Sequence, residues 1–234
     1  YKIPSILFKT SFDQEVDISC LEKIGHYFLM EKNDLRRTKK ICKIINIFFE
    51  NKKRIKSIID SRQYKVDDRG SDRIIGEVFK RKKFTRSIIF KKKKEQTKRK
   101  FKPKIKKIND KYINKYLFVS NNSINRKNSL KRKKINKIDH YIWWFKNNRK
   151  SFIFTKNGEE IIFFFHEYIR LNNAKFIVPG WYMIKRDASF LDIIMGLKKQ
   201  YNILQTAKDK EKITQLGVIN KNNKSMIKFA PKLN

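Results

Sequence analysis

Lysine and arginine are the residues of this sequence whose number and spacing suggest chemistry. The stretch Phe90–Lys107 holds eleven of them against a single acid, Glu95. Fixed positive charge at this density suits the neutralisation of closely spaced phosphates, which releases their counterions. The whole chain of 234 residues has 59 basic and 22 acidic side chains, a formal net charge of +37, so self-repulsion opposes its compaction. The sequence therefore predicts a polyanionic partner.

The positive charge is concentrated in the middle of the chain. Residues 80–137 contain 25 basic and two acidic side chains, whereas residues 1–79 contain 17 and 12, and residues 138–234 contain 17 and eight. Glycine and proline are scarce while lysine, asparagine and isoleucine abound, which is the skew expected from an A/T-rich organellar genome. We therefore predict a mitochondrial location, with the plastid as second choice. Hydrophobic residues still make up 40% of the chain, which is enough for a folded core.

The histidine, aspartate and cysteine residues of the sequence form no pattern typical of a catalytic or metal-binding site. His166 has no Ser, Cys or metal ligand at a recognisable spacing, and Asp139 and Asp187 suit capping or turn positions better than acid–base roles. Cys20 and Cys42 lack both metal-ligand spacing and the density of a disulfide framework. We therefore predict no catalytic residue, no metal, no cofactor and no enzymatic activity.

The first 79 residues predict a helical region. Ser19 and Glu22 form a capping-box pattern before a helix over about 20–31. Asp34 then precedes a longer helix with basic side chains on its other faces. Its predicted apolar stripe comprises Leu35, Ile41, Ile45, Phe48, Ile55 and Ile59.

Residues 80–136 show no sustained period, and we interpret them as a long basic insertion, partly disordered without RNA. From Lys137 onward the sequence becomes rich in apolar and aromatic residues. Asn157, Glu159 and Glu160 favour a helix start before Ile161, although "SFIFT" and "IIFFF" also suit a hairpin that turns at Asn157-Gly158. We prefer the helix. "KFIVPGWYMI" then predicts two short strands bent at Pro179-Gly180.

The order of these motifs resembles the RNA-binding domain of small-subunit ribosomal protein four, here "S four". Lys137-Ile138-Asp139 stands where that family has Arg-Leu-Asp, and "HEYIRLNN" supplies His166, Ile169 and Asn172 at the family's spacing. Pro179, Trp181 in place of a Tyr, and Asp187 follow without a gap. "LEKIGHYFLMEKNDLRRTKK" looks like the family's earlier helical segment. Glu159-Glu160, in place of Ala-Arg, and Asn173, in place of Gly, depart from the pattern.

The resemblance implies an α+β fold with a helical N-terminal region, a long basic insertion and a small helix-helix-β RNA-binding domain of S-four type. The predicted boundaries are 1–79 for the helical region, 80–136 for the insertion, 137–195 for the RNA-binding domain and 196–234 for a C-terminal tail. Cations on a helix face and a β-turn would contact RNA backbone and 2′-hydroxyls. The predicted RNA-binding residues are Arg36, Arg37, Lys39, Lys40, Lys91, Lys92, Lys98, Arg99, Lys137, Arg149, Lys150, Lys156, Arg170, Asn172, Lys175, Lys185 and Arg186.

The function implied by the resemblance is that of a structural constituent of the small subunit of a mitochondrial ribosome. Its partners would be small-subunit rRNA, neighbouring ribosomal proteins and mRNA on its path into the subunit, and no membrane, because no apolar run reaches the roughly 20 residues of a span. Two alternatives stay open: a non-ribosomal protein associated with RNA binding or RNA modification, and a basic subunit of an organellar membrane complex.

Overall fold

The structure is a computed structural model, and it describes residues 4–11, 14, 27–60, 71 and 103–229. Two sheets and seven helices make up this part of the chain, so the fold is α+β, as predicted at that level. No helix among the described residues is long and apolar enough to cross a membrane.

A small parallel sheet lies at the N-terminal end. β1 (Ser5–Phe8) pairs with β2 (Tyr27–Met30), with Ser5 opposite Tyr27. The predicted helix over 20–31 is wrong in its described part, because Tyr27–Met30 is β2. Phe28 and Met30 are buried in the main core, and this alternation of core contacts fits a strand better than a helix.

The predicted long basic helix forms as two helices. A 3₁₀ turn (Lys32–Arg36) leads into α1 (Thr38–Glu50), and α2 (Lys52–Asp60) follows after a break at Asn51. Asp34 is fully buried and accepts a bond from the backbone N–H of Glu31, which completes a capping box at the start of the turn.

The central sheet has five strands in the order β3-β4-β5-β6-β7. They are β3 (Lys104–Lys107), β4 (Lys150–Lys156), β5 (Glu159–Leu171), β6 (Ala174–Met183) and β7 (Thr214–Gln215). The first four are antiparallel. β7 is parallel to β6, because the long helix α6 (Phe190–Glu211) carries the chain back along the sheet between them.

The predicted helix from Asn157 is wrong, and the alternative hairpin is observed. Asn157 and Gly158 have φ values of 54° and 81°, the left-handed backbone that a tight hairpin turn requires. β5 then has consecutive buried residues from Ile161 to His166, because both faces of the sheet are covered. A strand buried on both faces loses the alternation of apolar and polar residues, which explains why this run resembled a helix.

Each face of the central sheet has its own core. On one face Ile153, Phe163 and Phe165 pack with Phe28, Ile44 and Tyr141 of β2, α1 and the helix α5 (Lys137–Lys146). On the other face Phe154, Ile162 and Phe164 lie under α6, with Ile193 and Ile203 packed against them. Asn136 caps α5 by accepting a hydrogen bond from the N–H of Ile138.

Residues 103–136, which the sequence grouped with the basic insertion, contribute to both cores: Ile105 packs against the second, and Ile108, Ile113, Tyr116 and Val119 lie in the first. This segment forms β3, a 3₁₀ turn (Asp110–Tyr112), α3 (Ile113–Ser120) and α4 (Ser123–Asn128). Ile113 and Tyr116 are almost fully buried in the first core. The boundary predicted at 195, between the RNA-binding domain and the C-terminal tail, falls inside α6. A short helix, α7 (Lys224–Phe229), follows β7.

The helix-helix-β domain predicted for 137–195 is not formed. Its first helix is α5, but the place of its second helix is taken by β5, which pairs with β4 and β6 along its length. The S-four topology is therefore absent, because extended backbone replaces the helix that the RNA-binding module requires.

Candidate functional site

An apolar cavity of about 760 Å³, widely open to solvent along one side, lies between β1, α1 and α2. A volume of this size is typical of pockets for small molecules, in which apolar walls surround a few polar groups. The lining residues are Pro4, Ile6, Ile45, Phe48, Phe49, Lys52, Ile55, Lys56, Ile59 and Asp60.

The apolar wall exists because α1 has apolar residues on two flanks. Ile44 and Ile47 turn into the core and are at most 2% exposed. Ile45 and Phe49, one helical turn apart, form a second flank and are 40% and 66% exposed. The sequence had placed Ile45 and Leu35 in the core stripe, and both are exposed, whereas the other predicted members lie in the core or pack against it: Ile41, Phe48, Ile55 and Ile59. Exposed apolar side chains beside a concavity are typical of a binding surface.

The mouth of the cavity is polar. Lys52, Lys56 and Asp60 recur at intervals of four residues on α2, which places them along one side of the helix. All three are exposed, whereas Ile55 and Ile59 between them are buried. The arrangement thus sets two ammonium groups and one carboxylate at the edge of an apolar space. It suits a ligand with an apolar chain and an anionic head.

The structure gathers the predicted RNA-binding residues into three groups. The first lies at the N-terminal ends of α1 and α5. Lys40 donates a hydrogen bond of 2.5 Å to Asp139, and an Arg37 nitrogen lies 3.7 Å from the same carboxylate. Lys137 lies 3.8 Å from Glu31, while Arg36 and Lys39 are exposed.

The second group surrounds Tyr168 at the turn between β5 and β6. Lys150 Nζ donates to Tyr168 Oη at 3.1 Å, and that hydroxyl donates to Glu211 Oε1 at 2.8 Å. Lys175 Nζ donates to Glu211 Oε2 at 2.5 Å. We call Lys150, His166, Tyr168, Lys175 and Glu211 the Tyr168 cluster. Arg170 and Asn172 lie on the adjoining strand end and turn, and Asn172 has a φ of 45°.

The third group lies at the N-terminal end of α6. Lys156 is paired with Asp192 in the first turn of that helix, and Lys185 donates to Glu159 at 2.5 Å. Hydrogen bonds from Lys156 and Ser189 hold the pKa of Asp192 below its ordinary value. Arg186, exposed in the loop before α6, belongs to the same region.

Arg149 lies apart from these groups, inside a seam between aromatic side chains. Its guanidinium stacks 4.0 Å from the centre of the Phe165 ring and 4.9 Å from that of Trp143. It also donates to Glu167 at 2.9 Å. Burial alone would lower the pKa of Arg149, but Tyr116 and Glu167 raise it above its ordinary value. The charge of Arg149 is thus already matched within the fold.

Lys91, Lys92, Lys98 and Arg99 lie outside the described residues. In the part of the chain that the structure describes, no group of three or more His, Cys, Asp or Glu residues could hold a metal ion. The predicted RNA-binding residues, the predicted partners and the predicted organellar location stay predictions.

Several residues of the candidate sites were missed from the sequence. The spacing of Lys52, Lys56 and Asp60 beside the outward pair Ile45 and Phe49 was a visible signal for the cavity mouth. Tyr168 and Glu211 had no such signal, because they are 43 residues apart and meet only where α6 returns to the sheet.

Comparison with known proteins finds solved structures but neither a family model nor a curated protein that matches. One is a possible acetyltransferase from Clostridium difficile 630, with 14% identity, a TM-score of 0.44 and coverage of 56% of this chain and 89% of that chain. An N-acetyltransferase from Staphylococcus aureus Mu50 is 22% identical, with a TM-score of 0.44 and coverage of 56% and 82%. A predicted acetyltransferase with acetyl-CoA from Clostridium acetobutylicum is 13% identical, with a TM-score of 0.42 and coverage of 55% and 88%.

This comparison corrects the predicted identity. The solved structures bear the names of acetyltransferases, a class of enzymes, where a ribosomal protein of the S-four family was predicted. The predictions of a ribosomal structural constituent, of its two alternatives and of a protein without enzymatic activity are therefore wrong. The replacement of the family's second helix by β5 is the physical reason for the first error. Identities below 25% and TM-scores below 0.5 do not determine the activity of this chain.

Proposed function

We propose that this chain is an enzyme that acts on an acyl group, and that the apolar cavity between β1, α1 and α2 holds the acyl chain of an anionic donor. The observation that supports the proposal is the combination of apolar walls from Ile45, Phe48 and Phe49 with Lys52 and Lys56 at the mouth. Burial of each methylene of an acyl chain contributes about 0.8 kcal/mol, so the walls favour longer chains.

The charges at the mouth favour a donor with a carboxylate or phosphate head. Lys52 and Lys56 are exposed ammonium groups one helical turn apart, at the distance at which both can face one ligand. To Asp60, which lines the cavity one further turn along, we assign the role of accepting a proton from an acyl acceptor. These roles make acyl transfer the reaction that we assign to the site.

Calorimetry with acetyl-, octanoyl- and palmitoyl-coenzyme A, and with coenzyme A alone, tests the proposal. Coenzyme A carries the same phosphates in every arm, so attraction to a chain of net charge +37 cancels in the comparison. We expect octanoyl-coenzyme A to bind at least about tenfold more tightly than coenzyme A, because its chain enters the cavity. Octanoate and octanol as further ligands separate the contribution of the anionic head from that of the chain.

Phe49→Asp is the informative variant, because Phe49 lines the cavity and is 66% exposed, so that its replacement should leave the core intact. Phe118→Asp is the matched control, since Phe118 is 77% exposed on α3 and does not line the cavity. The difference between octanoyl-coenzyme A and coenzyme A should vanish in the first variant and persist in the second. Equal binding of both ligands to the wild-type protein would refute the site.

Release of free coenzyme A from octanoyl-coenzyme A in the presence of amine acceptors tests the reaction itself. Asp60→Asn should reduce this release by about tenfold or more while leaving octanoyl-coenzyme A binding unchanged, because it removes only the proton acceptor. Chain-dependent binding without any release of coenzyme A would overturn acyl transfer and leave a binding protein.

A further inference from the structure

The Tyr168 cluster joins the C-terminal end of α6 to the far end of the central sheet. Glu211 is the last residue of α6, and both of its carboxylate oxygens accept hydrogen bonds, from Tyr168 and from Lys175. The ammonium groups of Lys150 and Lys175 lie 4.9 Å and 4.6 Å from the centre of the Tyr168 ring. Tyr168 and Lys175 thus donate to one oxyanion, and Lys150 donates to the Tyr168 hydroxyl beside it; we call this arrangement the cradle.

The position of Glu211 opposes the dipole of its own helix. The C-terminal end of a helix has unpaired carbonyl groups and a partial negative charge, so a carboxylate there is unfavourable. Lys208 and Lys210, in the same turn, have the sign that this end prefers. Hydrogen bonds from Lys175 and Tyr168 nevertheless hold the pKa of Glu211 below its ordinary value. Lys175 and Tyr168 therefore favour the ionised form of Glu211 at this position.

His166 supplies an independent observation at the same place. It is 2% exposed, and within the described part of the chain neither of its ring nitrogens has a hydrogen-bond partner. Its ring meets the Tyr168 ring edge-on, with centroids 5.9 Å apart, and stacks on Phe152 at 5.8 Å. Buried polar atoms without partners are uncommon in native proteins and costly. The imidazole N–H is therefore a donor that no described residue uses.

The charge of the cluster decides which oxyanion fits. If Glu211 leaves the cradle, two ammonium groups, one phenol and the imidazole of His166 remain, and Arg170 lies opposite Lys175 in the register of β5 and β6. Two cations with neutral donors match a doubly charged group better than a singly charged one. A phosphate dianion is therefore preferred to a carboxylate.

We propose that the Tyr168 cluster is a phosphate-binding site in which Glu211 occupies the position of the ligand. A phosphate group displaces the Glu211 carboxylate and binds Tyr168, Lys150, Lys175 and His166. This inference goes beyond the proposed acyl-group function and does not depend on it.

The test is a titration of the full chain with inorganic phosphate at constant ionic strength, followed by NMR of labelled histidine. His166→Gln assigns the resonance of His166. Glu211→Gln removes the competing charge, and we expect phosphate to bind this variant about tenfold more tightly than the wild-type protein, with a shift of the His166 resonance. Acetate at the same concentrations should bind more weakly than phosphate.

Glu159→Gln is the matched control, because Glu159 is also paired with a lysine, Lys185, but in the group of charges at the N-terminal end of α6. It should leave phosphate affinity unchanged. Tyr168→Phe keeps the aromatic ring and removes the hydroxyl, so it should weaken binding without unfolding the protein. Equal phosphate affinity in the Glu211 and Glu159 variants would show general attraction to a basic surface and overturn the proposal, as would an unmoved His166 resonance.

Discussion

At the scale of single residues, two buried histidines of the described part of the chain make its stability depend on pH. Burial is the main cause that lowers the pKa of both His140 and His166 to about 4, from an ordinary value of 6.5. Between these two pH values the unfolded chain binds protons that the folded chain does not. The free energy of unfolding should therefore fall as the pH drops from 6.5 towards 4.

We predict that His166→Phe stabilises the protein by about 1 kcal/mol at pH 7, because it removes two buried ring nitrogens that have no partner among the described residues. The gain should be larger at pH 5, because there the unfolded wild-type chain protonates His166 and the folded chain does not. Urea denaturation at the two pH values measures this. His140→Phe is the control: His140 bonds the carbonyl of Ile113 at 2.9 Å, so its loss should destabilise the fold at pH 7. A stability loss in both variants would contradict the prediction.

At the scale of elements, the hairpin between β4 and β5 depends on the left-handed backbone of two residues. Asn157 tolerates this conformation better than most residues with a side chain, and Gly158 has no Cβ to strain. The turn places β5 against β4 in a register with Phe152 opposite Phe164. It thus positions the strand that contains His166 and Tyr168.

We predict that Gly158→Val destabilises the protein by about 1–2 kcal/mol, since a β-branched residue at a φ of 81° is strained. Thermal unfolding provides the measurement. Gly217→Val is the control, because a Cβ at Gly217 would meet nothing within 4 Å and its backbone is not left-handed. A similar loss of stability in both variants would contradict the prediction that the left-handed backbone of the turn requires glycine at position 158.

The elements also show what the sequence could and could not reveal. The amphipathic run from Thr38 to Asp60 was recognisable, because a helix of period 3.6 leaves its pattern in the sequence. β5 was not recognisable as a strand, because burial on both faces removed its alternation. The Asn157-Gly158 pair was the better signal there, because its chemistry is local and does not depend on which faces become covered.

In the candidate sites, too, local features could be predicted from the sequence and features that depend on the tertiary fold could not. Lys150 and Lys175 were predicted from the sequence as RNA-binding residues, a prediction that stays open, whereas Glu211 was not singled out, because nothing local shows that α6 will return its last turn to them. Ile45 was assigned to the core because α1 has isoleucine or phenylalanine on two flanks. A hydrophobic pattern identifies apolar flanks but does not decide which of them the rest of the chain will cover.

At the scale of the whole molecule, the net charge of +37 acts on stability. Most described ion pairs are at least partly exposed, so they offset little of the self-repulsion. We predict that raising sodium chloride from 0.05 to 0.5 M raises the midpoint of thermal unfolding by about 5 °C or more, because screening reduces the repulsion. Lys131→Glu with Lys133→Glu, in an exposed basic run, should diminish this gain. A midpoint that falls with salt would show that ion pairs dominate.

Pro179 limits how far the central sheet can grow. Two residues of β6 point their backbone groups away from β5. The carbonyl of Ile177 accepts from the N–H of Leu216, and Met183 bonds the side chain of Asn125. Pro179 lies an even number of residues from both, so it faces the same outer edge of β6. A proline has no N–H to offer a further strand, and Asn125 already bonds both outward backbone groups of Met183 near the end of β6. β6 therefore gives a second copy of this protein little template for edge-to-edge pairing. Replacement of Pro179 by valine would remove this protection, and slow self-association into fibrous aggregates is the consequence to expect.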